Sequence, residues 1–344
     1  MKKYIWCSID VLCIAPLSAR AVDGYKNFKA AIYVRAYEVR EMADLKQLQE
    51  QFELMSKYIK ISKVYLETHR DLITVDETTI RQVRKFFTDR GIETAGGITL
   101  TIDESNRFET FCYSKPADRQ KVREIVELTA RLFDELILDD FFFTSCKCNV
   151  CIEKKGKKSW TQYRLELLDE AARNLIIGPA RAVNPKIRCV IKFPNWYEHF
   201  QGLGFNLETE PKIFDGTYTG TETRDALLSD QHLQPYESYL IFRYFENLKP
   251  SGNGGGWVDT GGLRTLDRYA EQLWLTLLAK APEITLFDFR QMQRPILESF
   301  RGPWQGQQTS FDFDTMIGPV RTADGTWPAE TTIALAAGYA LDKI

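Results

Sequence analysis

The chain has 344 residues, 44% hydrophobic, 12% aromatic and 27% charged, and its 45 Lys and Arg against 47 Asp and Glu leave a formal net charge of -2. That apolar and aromatic content can offset the ordering entropy of a packed fold, which excludes disorder, and without a clustered excess of cations there is no footprint for nucleic acid. No run of ~18 uninterrupted apolar residues occurs, so no membrane-spanning helix is expected.

Lys2 and Lys3, an apolar stretch from Tyr4 to Leu17 and the A-x-A triplet Ala19-Arg20-Ala21 predict a signal peptide over 1–21 and export, although Asp10 interrupts the apolar stretch. The rest, 22–344, reads as one domain. From about residue 30, β-type runs alternate with segments of helical period, the pattern of a parallel sheet covered by helices. The first strand spans 30–35, and Leu45, Leu48, Phe52 and Met55 mark the helix after it. A strand over 62–67 precedes a helix over 78–90, and a glycine-broken strand over 93–101 precedes a helix over 117–133, with Val122, Ile125, Val126 and Leu132 as its buried stripe. The fourth strand, 135–142, leads to a cysteine loop and a long helix over 159–182. Strands over 187–193 and 213–219 follow, then a helix over 235–248. Gly252 to Gly256 reads as a flexible approach to a seventh strand, 256–260, and a helix with Leu266, Tyr269, Leu273 and Leu277 on one face leads to the eighth, 284–289. A last helix is expected over 329–341. Eight such pairs with no linker predict a single (β/α)8 TIM barrel with extended βα loops. A dinucleotide-binding sheet is excluded, because residues 34–38 contain no glycine where its phosphate loop would stand.

Cys146, Cys148 and Cys151 place three thiols within six residues, a spacing that wraps one metal ion better than it forms disulfides. Cys112, in the loop after the third strand, supplies a fourth ligand, since neighbouring strands of a barrel bring their loops together. Four thiolates make a closed site, so the expected zinc is structural and catalysis needs no cofactor; one disulfide with free thiols is the alternative in an exported chain. Cys189 reads as a small buried hydrophobe. A C-x-C-x-x-C loop after the fourth strand, joined by a cysteine from the preceding βα loop, resembles the structural zinc site of the family 42 glycoside hydrolases, the (β/α)8 beta-galactosidases. Those enzymes carry Asn-Glu at the end of the fourth strand, where this chain has Asp139-Asp140, so the resemblance implies a relative in architecture rather than a standard member.

Barrel enzymes carry their reacting groups at the C-terminal ends of strands, and here those ends are rich in acids. Glycosidic cleavage requires a pair of them across an aromatic-lined pocket: one carboxyl protonates the leaving oxygen, the other attacks the sugar or activates water. Asp140 and Glu222 are the expected pair, with Asp139 and Asp259 as further catalytic candidates. Strand alternation lets only one of Asp139 and Asp140 face the barrel axis. Arg35, Glu67, Lys192, Trp196, Tyr218, Trp257 and Asp288 are the candidates for contacting a carbohydrate substrate. An acid pair from strands four and six resembles the arrangement of the retaining alpha-galactosidase clan; the beta-galactosidase arrangement would instead make Asp259 the nucleophile and Asp140 the acid. Three histidines without ligand spacing and the lack of a G-x-S-x-G elbow argue against a histidine zinc hydrolase and an esterase. A non-catalytic carbohydrate-binding barrel would keep the aromatic lining without convergent acids, and carboxyl oxygens more than ~10 Å apart would favour it.

Overall fold

Each expected β run forms a strand, and the eight pair in parallel around a closed ring. They are β1 (Lys29–Val34), β2 (Ile61–Arg70), β3 (Glu93–Ile98), β4 (Glu135–Leu138), β5 (Arg188–Phe193), β6 (Gly216–Gly220), β7 (Asn253–Val258) and β8 (Glu283–Phe287). The ring closes because β1 pairs with β8 from Lys29↔Glu283 to Tyr33↔Phe287 and also with β2. This computed structural model describes residues 24–296 and 332–344, so the expected signal peptide and the start of the expected last helix lie outside the described residues. No helix among the described residues is long and apolar enough to cross a membrane.

The helices cover the outside of the ring with the stripes expected of them. In Leu45–Ser56 the buried residues are Leu48, Phe52 and Met55, and Asp44 caps the N-terminus by accepting from the amides of Lys46 and Gln47. Leu45, expected on the same stripe, is exposed instead, at the first position of the helix. Pro116–Leu132 buries Val122, Ile125, Val126 and Leu132, and Leu266–Leu278 buries Leu266, Tyr269, Leu273 and Leu277. Cys189 is fully buried on the outer face of β5, packed with the apolar residues there.

Side chains also fill the interior of the ring. Ala31, Tyr33, Tyr65, Ala95, Ile137, Val190, Tyr218 and Trp257 form one inner cluster, as alternation along each strand requires. The N-terminal end is plugged by charge: Lys63 Nζ lies 2.6 Å from Glu135, and Tyr65 donates to Glu283 at 2.7 Å. Two expectations change. The glycine run before Trp257 is strand from Asn253 onward and tightly packed, for a side chain at Gly255 would meet the Tyr218 hydroxyl at 2.3 Å. The sixth strand starts at Gly216 rather than 213, because Pro211 opens a short helical turn, Glu210–Ile213, ahead of it.

Candidate active site

At the C-terminal end of β4 the pleat runs out. Glu135, Ile137 and Asp139 alternate inward, and the Asp139 amide still donates to the Ile98 carbonyl at 2.9 Å. The next residue has left the sheet and is no longer bound by alternation. Both acids therefore reach the same partner on β5: Lys192 Nζ lies 3.2 Å from Asp139 Oδ1 and 2.6 Å from Asp140 Oδ2. The expectation that only one of them turns to the axis is thus corrected. Glu222, two residues past β6, brings Oε1 to 3.6 Å from that ammonium. A side chain at Gly220 would displace the Glu222 carboxylate, since a Cβ there would stand 2.7 Å from Glu222 Oε2. All four charged groups are buried, and the ammonium sits 4.4 Å above the Trp257 ring.

A second set of ion pairs buttresses this cluster. Arg70, at the end of β2, donates to Glu67 through Nε at 2.9 Å and to Asp139 Oδ2 at 2.8 Å, and also pairs with Glu104. Glu67 is completely buried and accepts further bonds from the Tyr33 hydroxyl and the Ala36 amide, each at 2.7 Å. It orients Arg70 and has no surface to offer a sugar. Asp139 is equally engaged, accepting from the Asp140 amide at 2.9 Å as well. Asp259 is held in a two-pronged pair with Arg224 at 2.8 and 3.1 Å. Asp288 is buried, pairs with Arg35 at 2.8 Å and caps the turn after β8 by accepting from the Gln291 amide.

Other candidates for substrate contact also sit deeper than expected. Trp257 is 1% exposed and forms the floor beneath Lys192, while Tyr218 lies lower still, hydrogen-bonded to Thr285 and Glu283 at 2.6 and 3.1 Å. Both rings face inward, as alternation along their strands requires, but depth along the barrel axis has no sequence signature. Arg35 and Trp196 remain at the rim, the latter 6.3 Å from the ring of Phe141. Arg70, Glu38 and Glu104 were not anticipated. Arg70 and Glu67 would point to opposite faces of a regular strand; the register shift between Glu67 and His69 turns Arg70 inward.

Burial sets the protonation of this cluster. It raises Asp140 to about 7, reinforced by negative Asp139 and Glu222 and opposed by Lys192. Glu222 is raised as well, by burial and Asp259 against the pull of Lys192 and Arg224. In Asp139 burial is outweighed by Lys192 and Arg70, which hold it below the usual carboxylate range. Glu38, buried beside Asp288, is raised to about 7, and half-buried Glu104 is raised to about 7 by its desolvation against the pull of Arg70. Between ordinary carboxylate values and about 7, Asp140, Glu38 and Glu104 keep protons in the folded chain that the unfolded chain releases. The stability they contribute is therefore full below about 4 and is lost as pH rises through about 7. Melting temperatures should fall between about pH 5 and about pH 8; a rise across that window would contradict the assignment.

The cysteines form a separate cluster beside the site. Cys112 lies on the loop after β3 and Cys146, Cys148 and Cys151 on the loop after β4, all four sulfurs within 4.8 Å of one another. Cys112 Sγ is 3.4 Å from Cys151 Sγ and 3.8 Å from Cys148 Sγ, and all four are free thiols. A tetrahedral ion bound to four thiolates at ~2.3 Å holds its sulfurs about 3.8 Å apart, so the residues fit a metal. Tyr163 packs against the cluster, its hydroxyl 2.5 Å from that of Ser114, and the Cys112 amide donates to Asp118.

A family model described as "Probable glycosyl hydrolase, catalytic domain" matches residues 18–344. An uncharacterized protein of Saccharolobus solfataricus is 29% identical over 299 residues, covering 76% of this chain and 49% of that protein, so the chain spans about half the length of the curated relative it matches. Among solved structures, the fold is shared with a GH5_18 protein from Streptomyces cattleya in complex with GlcNAc (TM-score 0.53, 11% identity, 93% of this chain and 80% of that chain). It is shared also with fungal beta-1,4-galactanase (TM-score 0.53, 8% identity, 92% and 99%) and with the catalytic domain of beta-amylase from Paenibacillus polymyxa (TM-score 0.52, 7% identity, 82% and 97%).

Proposed function

The chain belongs to the family of probable glycosyl hydrolase catalytic domains, and from that starting point we propose that it is a glycosidase cleaving O-glycosidic bonds of a plant or microbial glycan, with Asp140 as general acid and Glu222 as nucleophile or base. The observation that carries this reading is their shared contact with Lys192 Nζ, at 2.6 and 3.6 Å. Contacts of that length put the nearer carboxylate oxygens within roughly 6 Å of each other, well inside the ~10 Å beyond which neither hydrolytic mechanism works. This speaks against the non-catalytic binding barrel. Asp140, raised to about 7, retains its proton near neutrality as an acid must. Asp259, bound on both oxygens by Arg224, suits a nucleophile less well.

Nearer oxygens at most roughly 6 Å apart suit the close pair of a retaining enzyme better than the ~6.5–9.5 Å of inverting pairs, so cleavage should retain anomeric configuration. Proton NMR of the first-formed product checks this, and initial release of the opposite anomer would refute it. Zinc is the metal proposed for the four cysteines, pinning the loops after β3 and β4. Elemental analysis of purified protein should find about one zinc per chain, and a content far below that would remove the site. Export, with a mature N-terminus near Val22, is proposed from residues 1–21; N-terminal sequencing of the secreted protein is its check.

A further inference from the structure

Beside Asp140 stands a group of aromatic rings that the reaction as described does not use. Phe141 follows Asp140 directly, Phe108 stacks on it with centroids 5.4 Å apart and planes at 28°, and Trp196 meets it edge-on at 6.3 Å. Phe108 is 48% exposed, an apolar ring facing water at the rim of a charged site. It comes from the hairpin Thr101–Asp103/Glu109–Thr110 that follows β3, and its backbone is left-handed, φ 56, after Arg107 at φ 53. Residues other than glycine pay for that conformation, and it persists where the surroundings fix it.

Here the surroundings do fix it. Glu104 pairs with Arg70, the same arginine that holds Asp139, and the Glu104 amide donates to Asp71 at 3.0 Å. On the other side, Thr110 donates to the Phe143 carbonyl at 3.1 Å. The hairpin is thus tied both to the acid cluster and to the loop that carries Phe141, which gives the exposed ring a fixed position relative to Asp140.

We propose that Phe108, backed by the buried ring of Phe141 with Trp196 beside it, forms a subsite for a sugar ring on the leaving-group side of the scissile bond. The side follows from Asp140: the acid faces the leaving oxygen, and the rings adjoin the acid, so this inference rests on that reading of the pair. Flat apolar faces suit the C–H surface of a pyranose. Arg70 adds no free charge to this patch, since it is already engaged by Glu67, Asp139 and Glu104.

The test compares wild type with Phe108→Asn, which removes the ring yet tolerates a left-handed backbone, and with Phe108→Tyr, which keeps a ring. Two substrates of the same glycone are used, a disaccharide and the glycosyl fluoride, whose leaving group occupies no sugar subsite. Loss of the ring should raise KM for the disaccharide about three- to tenfold, leave the fluoride unchanged, and be rescued by tyrosine. Equal effects on both substrates, or none on either, overturn the subsite while leaving the acid pair standing. If wild type turns over neither, the catalytic reading fails, and the subsite is then judged by tryptophan fluorescence titration with neutral gluco-, galacto-, manno- and xylo-oligosaccharides. Weaker binding in Phe108→Asn supports it, and affinities that do not depend on Phe108 overturn it.

Discussion

Asp140→Asn is expected to lower kcat on glycosides with poor leaving groups by about 10²–10⁴-fold, the usual contribution of a positioned general acid. The effect should shrink with an activated leaving group, which departs without a proton, whereas Glu222→Gln should be severe with both. The wild-type enzyme should also lose kcat/KM as pH rises through about 7, where burial places the Asp140 proton, and that limb should vanish in Asp140→Asn. The amide occupies nearly the same volume and can still accept from Lys192, so the melting temperature should change little. Unchanged turnover of the poor substrate would remove Asp140 from the mechanism.

Lys192→Met is expected to be the most damaging substitution for stability. Lys192 is buried and faces Asp139, Asp140 and Glu222 together. Truncating one member of a buried ion pair costs ~3–5 kcal/mol, because the partner charge is left without compensation, and here three partners lose it at once. The sign with pH follows. Asp139 has a depressed folded value, so its contribution is present above its ordinary value and is lost as pH falls through the depressed one. That contribution depends on Lys192 and Arg70. The variant should therefore be most destabilised near and above pH 7, and the gap to wild type should narrow in acid, where the carboxylates are protonated. Denaturant midpoints at the two pH values measure this, and a gap that is constant with pH would exclude the charge explanation.

Much of this was legible in the chain itself, and the limits are physical. All eight strands are readable because short β-type runs alternate with stripes of helical period, a purely local signal. The cysteine cluster is readable because three of its cysteines are neighbours in sequence and adjacent strands bring the fourth. Asp140 and Glu222 stand out as acids just past strand ends. Arg70 does not, because an irregularity in the pairing of β2 decides which way it points, and register shifts depend on the neighbouring strand. Trp257 and Tyr218 carry the right parity but lie below the site, since alternation fixes the face of a residue and not its layer. Glu67 and Asp288 look like free acids in the chain, and only the fold supplies the arginines that occupy them.

The stretch from Asp140 to Cys146 is fastened at both ends, one to the Lys192 ammonium and the other within the sulfur cluster. It is also clamped midway, where Thr110 donates to the Phe143 carbonyl. Extra residues inserted there would have to disturb Asp140, the sulfur cluster or both. The turn after β6 carries no such constraint at Leu227 and Leu228, which are 72% and 57% exposed. Diversification of this scaffold toward new glycans therefore has an uneven landscape: the segment nearest the acid is fixed in length, and variation in loop size is left to the turn after β6, two strands further round the rim.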